Sequence, residues 1–220
     1  MRTELEQTIA YYDRGAADYA KRTESIDLEP QLEQFVQLLD SFFPTRAPNY
    51  NKPLILDAGC GAGRDAAWLQ GRGLEVVGVD LSSNLLLEAK KRQRDQVVLA
   101  NFLKLPFGDR TFEGVWAEAA LVHLETVADA VTALTEFARV LKPNGVLSLS
   151  VKTRSDSVET EWRSDSLSGE YRRFFRYYQA EELKKMLVGA GFSVSFLHPE
   201  KDVINRQVSW LRVRAVNARF

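Results

Sequence analysis

The segment Leu54–Asp65 constrains the fold of this chain more than any other feature. Its sequence, LILDAGCGAGRD, places three glycines directly after a short apolar run. A buried strand, a glycine-rich turn and the start of a helix account for this order, because glycine lets the backbone turn tightly and approach a ligand without a Cβ atom in the way. We therefore predict that residues 54–65 form a cofactor-binding turn.

A second apolar run ends in an acid twenty-three residues after Asp57. The run Val76–Asp80 predicts a second buried strand, and Asp80 stands where a carboxylate would accept hydrogen bonds from ribose hydroxyls. The glycine turn and this acid together indicate a cofactor that contains a nucleoside. The structural alternative is that Asp80 only caps the helix that follows.

Composition places the chain among ordinary globular proteins. Its 220 residues, 45% hydrophobic and 27% charged, can bury a substantial core. The net charge of -1 provides no broad basic surface for nucleic acid. One cysteine and two histidines form neither an internal disulfide nor a typical closed zinc site, so we expect a metal-independent protein. Without an apolar leader or a long apolar run, we expect a cytosolic protein with no membrane span.

Strand and helix patterns alternate from residue 54 to residue 151. Strands are predicted over 54–58, 75–79, 97–100, 112–117, 145–151, 192–197 and 207–215, and helices over 64–71, 83–93, 127–141 and 179–189. This alternation predicts an α/β fold with a doubly wound, mostly parallel sheet. A turn around His198–Glu200 predicts that the last two strands form an antiparallel hairpin.

Residues 1–50 are predicted to form an N-terminal helical cap on a core that covers residues 54–220. The segment Tyr11–Tyr19 interrupts the first helix, and a further helix begins near Pro30, which suits a first helical turn. A linker is expected over Pro44–Pro53 without a composition shift that would mark a boundary. We therefore expect the whole chain to be a single domain.

The turn favours a cofactor other than NAD. Its glycines follow the spacing Gly59-x-Gly61-x-Gly63, and Arg64 stands where a dinucleotide fingerprint has its third glycine. The carboxylate of Asp57 would repel a pyrophosphate and would suit a cationic ligand group.

Four segments resemble the motifs of class I S-adenosylmethionine-dependent methyltransferases, in that family's order. They are Leu56–Gly63, Val79–Ser82, Leu105–Val115 and Arg139–Gly145. The resemblance implies a Rossmann-like, seven-stranded sheet of order 3-2-1-4-5-7-6 in which only strand 7 is antiparallel. It implies S-adenosyl-L-methionine as the cofactor, and it implies a structural ion pair for Arg139.

The resemblance also implies roles for individual positions. The glycines would let the backbone pass close to the methionine moiety, Asp80 would hold the ribose, and Leu81 would pack on the adenine. Asn101 and Phe102 would lie beside the amino edge and the ring of the base. The implied cofactor-binding residues are Asp57, Ala58, Gly59, Cys60, Gly61, Gly63, Arg64, Asp80, Leu81, Asn101, Phe102, Ala117 and Glu118, the last two lying near the reactive centre.

His123, Tyr12 and Tyr19 are the candidate catalytic residues. His123 follows the fourth core strand, where the transferred methyl group should point, and could act as a general base. Its structural alternative is to order that loop or to cap the next helix. Tyr12 and Tyr19 could close over the cofactor, or could simply pack on an amphipathic helix. Methyl transfer from a sulfonium can depend mainly on positioning, so a sharp catalytic motif is not required.

The segment Glu170–Tyr178 interleaves three arginines with five aromatic residues. Such a segment can bind anions or stack bases, or it can be a strand with buried aromatics and solvated arginines. The preceding stretch, Thr153–Gly169, is predicted to be a mobile loop that orders over the acceptor.

Three functions are considered. The main hypothesis is a methyltransferase for the nitrogen, oxygen or carboxylate of a small molecule. A tRNA-modifying methyltransferase is the second, because Arg173–Tyr178 resembles a stretch of the wobble-uridine carboxymethyl methyltransferases. The third is a non-catalytic protein that keeps the cofactor fold as a scaffold. The acceptor and the oligomeric state stay open.

Overall fold

A computed structural model describes residues 3–43, 52–92, 96–154, 156–164, 172–201 and 208–219. The helices are α1 (Glu4–Arg14), α2 (Ala16–Thr23), α3 (Glu29–Phe42), α4 (Arg64–Gly71), α5 (Ser83–Lys90), α6 (Val127–Val140) and α7 (Ala180–Gly189). The strands are β1 (Leu54–Ala58), β2 (Glu75–Asp80), β3 (Val97–Leu99), β4 (Phe112–Glu118), β5 (Leu141–Arg154), β6 (Thr160–Arg163), β7 (Arg173–Arg176), β8 (Phe192–Lys201) and β9 (Val208–Asn217). A short 3₁₀ turn covers Leu121–His123.

Seven strands form one sheet in the order β3-β2-β1-β4-β5-β9-β8. Strands β1 to β5 pair in parallel with their neighbours in this sheet, whereas β9 is antiparallel to both β5 and β8. The predicted strand order, with a single antiparallel strand, is therefore confirmed. Helices cover both faces, which explains why the central strands are apolar on both sides.

The order of the sheet reverses between β1 and β4, which are neighbours although β2 and β3 lie between them in the chain. In an open parallel sheet, this reversal leaves a crevice at the carboxyl ends of the strands, where ligands bind. The glycine turn after β1 and the residues after β4 both lie at this edge.

Helix α3 packs on one face of the sheet through Phe35, whose ring lies 5.5 Å from that of Trp116. Gly114 of β4 makes this contact possible. A Cβ atom there would lie 2.7 Å from Phe35 Cζ and 2.9 Å from Ile55 Cδ1. Pro30 stands in the first turn of α3, as predicted. The helices α1 and α2 do not join this layer and instead cover the carboxyl edge of the sheet.

Two sets of contacts anchor helix α6 in the second half of the core. Thr126 and Asp129 form a capping box at the start of α6. Arg139 forms the expected ion pairs, with Nε 2.7 Å from Glu136 Oε1 and Nη1 2.9 Å from Asp109 Oδ1. These contacts fix the loop before β4 to helix α6.

Two expectations for the last third of the chain are wrong. Strand β8 continues through His198–Glu200 to Lys201, so the predicted turn is absent there; Pro199 is tolerated because β8 is an edge strand. The expected loop Thr153–Gly169 contains a strand, β6, which pairs in antiparallel orientation with β7 beyond the loop. Residues 155 and 165–169 lie outside the described residues, as do residues 44–51 of the predicted linker.

Helix ends differ slightly from expectation. Helix α5 ends at Lys90 rather than at residue 93, which lies outside the described residues. In the described part of the chain, no helix has both the length and the apolar character needed to cross a bilayer.

Candidate active site

A cavity of about 620 Å³ lies at the carboxyl ends of β1, β2 and β4, beneath α1 and α2. Most of the predicted site residues line it: Tyr12, Tyr19, Gly59, Cys60, Gly61, Arg64, Asp80, Leu81, Asn101, Phe102, Glu118 and His123. Its size and its place at the reversal of strand order are typical of a ligand pocket.

The glycine turn forms one wall of this cavity. Gly59, Gly61 and Gly63 all have left-handed backbones, with φ values of 76°, 53° and 78°. A Cβ atom on Gly59 would lie 2.7 Å from Ala120 Cβ, so glycine is required both for conformation and for space. The turn therefore presents backbone, rather than side chains, to a ligand.

Asp80 connects β2 to this turn. Its Oδ2 accepts a hydrogen bond from the Gly61 N–H at 2.9 Å, and its Oδ1 accepts one from the Ser82 N–H at 2.8 Å. The helix-cap alternative for Asp80 is wrong, because the Ser82 hydroxyl caps α5 by accepting from the Leu85 N–H. Burial raises the pKa of Asp80, and these N–H donors oppose the shift. Each carboxylate oxygen has a further lone pair with which it can accept from a ribose hydroxyl.

Four predicted residues, namely Asp57, Ala58, Gly63 and Ala117, are not among those that line the cavity. Gly63 caps α4, and Ala58 is buried in the core. Ala117 points into the core, because side chains alternate along a strand and its neighbour Glu118 faces the cavity. The implied position of Ala117 beside the cofactor stays a prediction, and any such contact would involve its backbone rather than its side chain.

Asp57 is a buried acid behind the turn. Burial raises its pKa well above the usual range, and nearby Asp65 adds to the shift. Its Oδ2 has no hydrogen-bond partner among the described residues. Two of the acids around the turn have arginine partners, Asp65 with Arg64 and Glu118 with Arg212, so the preference of this end for a positively charged ligand depends mainly on Asp80.

Asn101, Phe102 and Leu81 line the side of the cavity next to Asp80. Asn101 Oδ1 accepts a hydrogen bond from the Leu103 N–H at 2.9 Å, which fixes the direction of the side chain. The Phe102 ring packs against Phe137. Cys60 and Arg64 belong to the wall formed by the glycine turn. Burial raises the pKa of the Cys60 thiol well above its usual range. Arg64 is held in place, because its Nη1 donates a hydrogen bond to the Thr23 carbonyl at 3.1 Å.

Glu118 forms an ion pair with an arginine that the sequence did not indicate. Arg212 Nη1 lies 2.7 Å from Glu118 Oε1 and 2.8 Å from Oε2. Burial raises the pKa of Glu118, and Arg212 opposes the shift. Arg212 belongs to β9, 94 residues further along the chain, so no local pattern could have revealed it.

His123 and Tyr12 form a hydrogen-bonded pair inside the cavity. His123 Nδ1 lies 2.7 Å from the Phe174 carbonyl oxygen, which can only accept, so Nδ1 carries the proton. His123 Nε2 then accepts from the Tyr12 hydroxyl at 2.8 Å. Burial lowers the pKa of His123 to about 4, with further lowering by Arg173 and Lys152, so the imidazole is neutral at pH 7. The alternative that His123 caps α6 is wrong, because Thr126 is the cap.

Tyr12 and Tyr19, on α1 and α2, form the roof of the cavity. Their rings meet edge to face at 5.2 Å, and burial raises the pKa of both hydroxyls. Asp13 fixes this roof to α5: its Oδ1 accepts from Ser82 Oγ at 2.6 Å and from the Asn84 N–H at 3.0 Å. We use the term lid for α1 and α2.

The far end of the cavity is built from β5, β7 and β9. Lys152, Arg173, Phe175 and Trp210 line it. The aromatic residues Phe174, Phe175, Tyr177 and Tyr178 are buried, and of these four Phe175 borders the cavity. The sequence suggested, as one alternative for this segment, a strand with buried aromatic residues and solvated arginines. The buried aromatic residues are confirmed. Arg173, however, lies over the Tyr11 ring, with its Cζ 4.5 Å from the ring centroid, instead of in solvent.

Comparisons with known proteins agree with this arrangement. The methyltransferase domain model matches residues 56–149. The chain is 35% identical over 188 residues to the malonyl-[acyl-carrier protein] O-methyltransferase of Salmonella typhimurium, an alignment that covers 71% of this chain and 74% of that protein. It is 35% identical over 117 residues to the methyltransferase GfsG of Streptomyces halstedii, covering 48% of this chain and 41% of GfsG.

A solved structure shares the fold. The 1,6-didemethyltoxoflavin-N1-methyltransferase of Burkholderia thailandensis, with bound 1,6-didemethyltoxoflavin and S-adenosylhomocysteine, superposes with a TM-score of 0.68 at 20% identity. The match covers 100% of this chain and 92% of that one.

The sheet order and the glycine turn define a Rossmann-like methyltransferase fold. With the family match and the Salmonella relative, the chain belongs to the class I S-adenosylmethionine-dependent methyltransferases, a family of enzymes whose cofactor is S-adenosylmethionine. The chain spans about half the length of several other curated relatives that it matches.

Proposed function

We propose that this chain transfers a methyl group from S-adenosylmethionine to an oxygen or nitrogen, including a carboxylate oxygen, of a small molecule. One observation carries the proposal: a single cavity joins the glycine turn and Asp80 to the Tyr12–His123 pair. A cofactor held at the first of these points would have its reactive end directed toward the second.

The residues present suit this cofactor. The left-handed glycines leave a wall of bare backbone, and Asp80 can accept from both ribose hydroxyls. The acids around the turn favour a ligand with positively charged groups. When bound, S-adenosylmethionine supplies a methyl group on a positively charged sulfur. A lone pair of the acceptor forms the new bond to the methyl carbon, and the electron pair of the broken C–S bond stays on the sulfur.

The protein contributes positioning and a route for a proton. The Tyr12 oxygen takes the proton of an acceptor hydroxyl or amine while the Tyr12 proton passes to His123 Nε2, which is the bare nitrogen of the neutral ring. A general base contributes about 10² to 10⁴ in rate and is most effective when its pKa lies near the operating pH, so the lowered pKa of His123 places its contribution at the low end of this range. A carboxylate acceptor needs no base, and orientation alone then provides the main effect.

The names of the relatives support an oxygen acceptor. The Salmonella relative is an O-methyltransferase of malonyl-[acyl-carrier protein], and the relative resE of Aspergillus sclerotiorum is also named an O-methyltransferase. We therefore place oxygen before nitrogen as the acceptor atom. The intact turn and Asp80 support an enzyme over a non-catalytic scaffold.

A tRNA acceptor receives less support. Phe174, Phe175, Tyr177 and Tyr178 are buried, and Arg176 donates to the Glu125 carbonyl, so these groups are engaged inside the protein. A gel-shift titration with tRNA tests this alternative. A salt-dependent shift that is lost when Arg172, Arg173 and Arg176 are replaced would restore it.

Calorimetric titration tests the cofactor half of the proposal. We expect S-adenosylmethionine to bind more tightly than 1 mM, and NAD to bind more weakly. Absence of S-adenosylmethionine binding below the millimolar range, or a preference for NAD, would overturn the proposed function.

A further inference from the structure

The far end of the cavity carries positive charge next to aromatic surface. Lys152 on β5 and Arg173 on β7 both line it, and each lies against the same ring. Lys152 Nζ is 4.7 Å from the Phe175 ring centroid, and Arg173 Cζ is 5.2 Å from it. Two cations from separate strands therefore converge on one patch of the wall.

A second aromatic ring extends this patch. Lys152 Nζ lies 5.1 Å from the Trp210 ring centroid, and Trp210 also faces the cavity. The positive field reaches His123 as well, because both cations lower the pKa of its imidazole. A ligand at this end thus meets two cations, two apolar ring surfaces and the Tyr12–His123 pair.

Both cations have donors to spare for a ligand. Lys152 lies over Trp210 and Arg173 over Tyr11. An ammonium has three N–H donors and a guanidinium has five, so each side chain can bind a carboxylate in addition to its present contacts. The neighbouring cation Arg212 pairs with Glu118 and Glu200.

The cavity carries acidic and basic groups on different elements. Asp80 ends β2 beside the glycine turn, whereas Lys152 belongs to β5 and Arg173 to β7. Groups of opposite charge on separate walls can orient two ligands of opposite charge within one pocket.

We propose that Lys152 and Arg173 form a subsite for the carboxylate of an acidic acceptor, whose apolar part packs on Phe175 and Trp210. This inference rests on the proposed function and names the class of acceptor: small carboxylic acids with an apolar body. A charge-assisted hydrogen bond at each cation would provide most of the preference for the acid.

The test uses three matched pairs of probes: acetate, hexanoate and 3-phenylpropanoate with their three primary amides. Each is titrated by calorimetry into the protein saturated with S-adenosylhomocysteine. We expect at least one acid to bind at least about tenfold more tightly than its amide. Equal binding of acid and amide in every pair, absence of binding by all six included, would overturn the inference. Phenyl phosphate is a further arm, and its tighter binding than 3-phenylpropanoate would overturn the carboxylate assignment.

Variants localise the subsite. Lys152→Gln and Arg173→Gln should each weaken the preferred acid at least about tenfold, and Arg173→Lys should recover part of the loss, because it keeps the charge. The control variants Lys91→Gln and Arg72→Gln remove cations that pair with Glu88 and Glu29 away from the cavity, and should leave acid binding unchanged. If the acid binds equally to Lys152→Gln and Arg173→Gln and to the unmodified protein, the subsite is not formed by these residues.

The two proposals fail separately. If S-adenosylhomocysteine does not bind, the proposed function fails. If it binds and no acid is preferred, only the acceptor inference fails.

Discussion

Tyr12 Oη lies 2.8 Å from His123 Nε2, although 111 residues separate the two in the chain. This hydrogen bond joins the lid to the loop after β4 and so closes the cavity over the proposed acceptor site. The same contact is therefore part of both the architecture and the proposed chemistry, and substitutions can separate these two roles.

Removal of the Tyr12 hydroxyl tests the proton route. Tyr12→Phe keeps the ring that packs on Tyr19 but leaves His123 Nε2 without its donor. For a hydroxyl acceptor we expect kcat to fall about 10²-fold while S-adenosylhomocysteine affinity changes less than about twofold. The rate is measured as S-adenosylhomocysteine release with an acceptor from a small-molecule screen. An unchanged kcat would show that Tyr12 acts only as part of the lid.

The low pKa of His123 predicts a particular loss of stability in acid. The pKa is about 4 in the folded protein and about 6.5 in the unfolded chain. The unfolded chain then binds more protons between these values, so stability is complete above pH 6.5 and declines as the pH falls toward 4. Between pH 7 and pH 5 this histidine should account for about 2 kcal/mol of the lost free energy of unfolding.

Urea unfolding at both pH values measures this contribution. His123→Gln keeps a polar side chain that does not titrate, so its stability should decline less over the same interval. Equal declines in the two proteins would mean that His123 titrates normally.

Asp80 is expected to determine cofactor affinity. Asp80→Ala removes the predicted ribose acceptor and also the partner of the Gly61 and Ser82 N–H groups. We expect S-adenosylhomocysteine binding to weaken by at least about 1 kcal/mol, with a smaller loss for Asp80→Asn, which keeps one acceptor oxygen. Calorimetry measures the change, and Asp18→Ala on the exposed side of α2 is the control. The role of Asp80 is refuted if its alanine variant binds as tightly as the control.

Two substitutions distinguish the steric cost of a side chain at residue 59 from the cost of its left-handed backbone conformation. Gly59→Ala places a methyl group 2.7 Å from Ala120 Cβ and also imposes a side chain on a left-handed residue. The clash should cost about 1 to 3 kcal/mol and the backbone about 1 to 2 kcal/mol. Adding Ala120→Gly relieves the first cost only, so unfolding experiments should show partial recovery. Complete recovery would indicate that the left-handed conformation of residue 59 carries no cost.

The sheet and the cofactor end of the cavity could be predicted because their signals are local. The glycine turn and Asp80 lie within short stretches whose residue types have few structural explanations. The wrong turn at His198–Glu200 has a simple origin, since a proline marks a turn in most places but is tolerated in an edge strand such as β8.

The acceptor end could not be predicted in the same way. Lys152, Arg173 and Arg212 come from β5, β7 and β9, three strands that lie far apart in the chain; β5 and β9 pair directly, whereas β7 pairs with β6. Nothing in the sequence near Glu118 indicates that Arg212 will neutralise it. Contacts between distant segments depend on the register of the sheet, which no single stretch contains.

The docking of the lid has a consequence for the order in which the chain acquires its structure. Thr8 on α1 accepts a buried hydrogen bond from the Phe174 N–H, and 166 residues separate the two. When a ribosome has made α1, the strand that receives it does not yet exist, and contacts of such long range form late. A nascent chain would thus have made the strands on either side of its glycine turn before the roof above that turn could close.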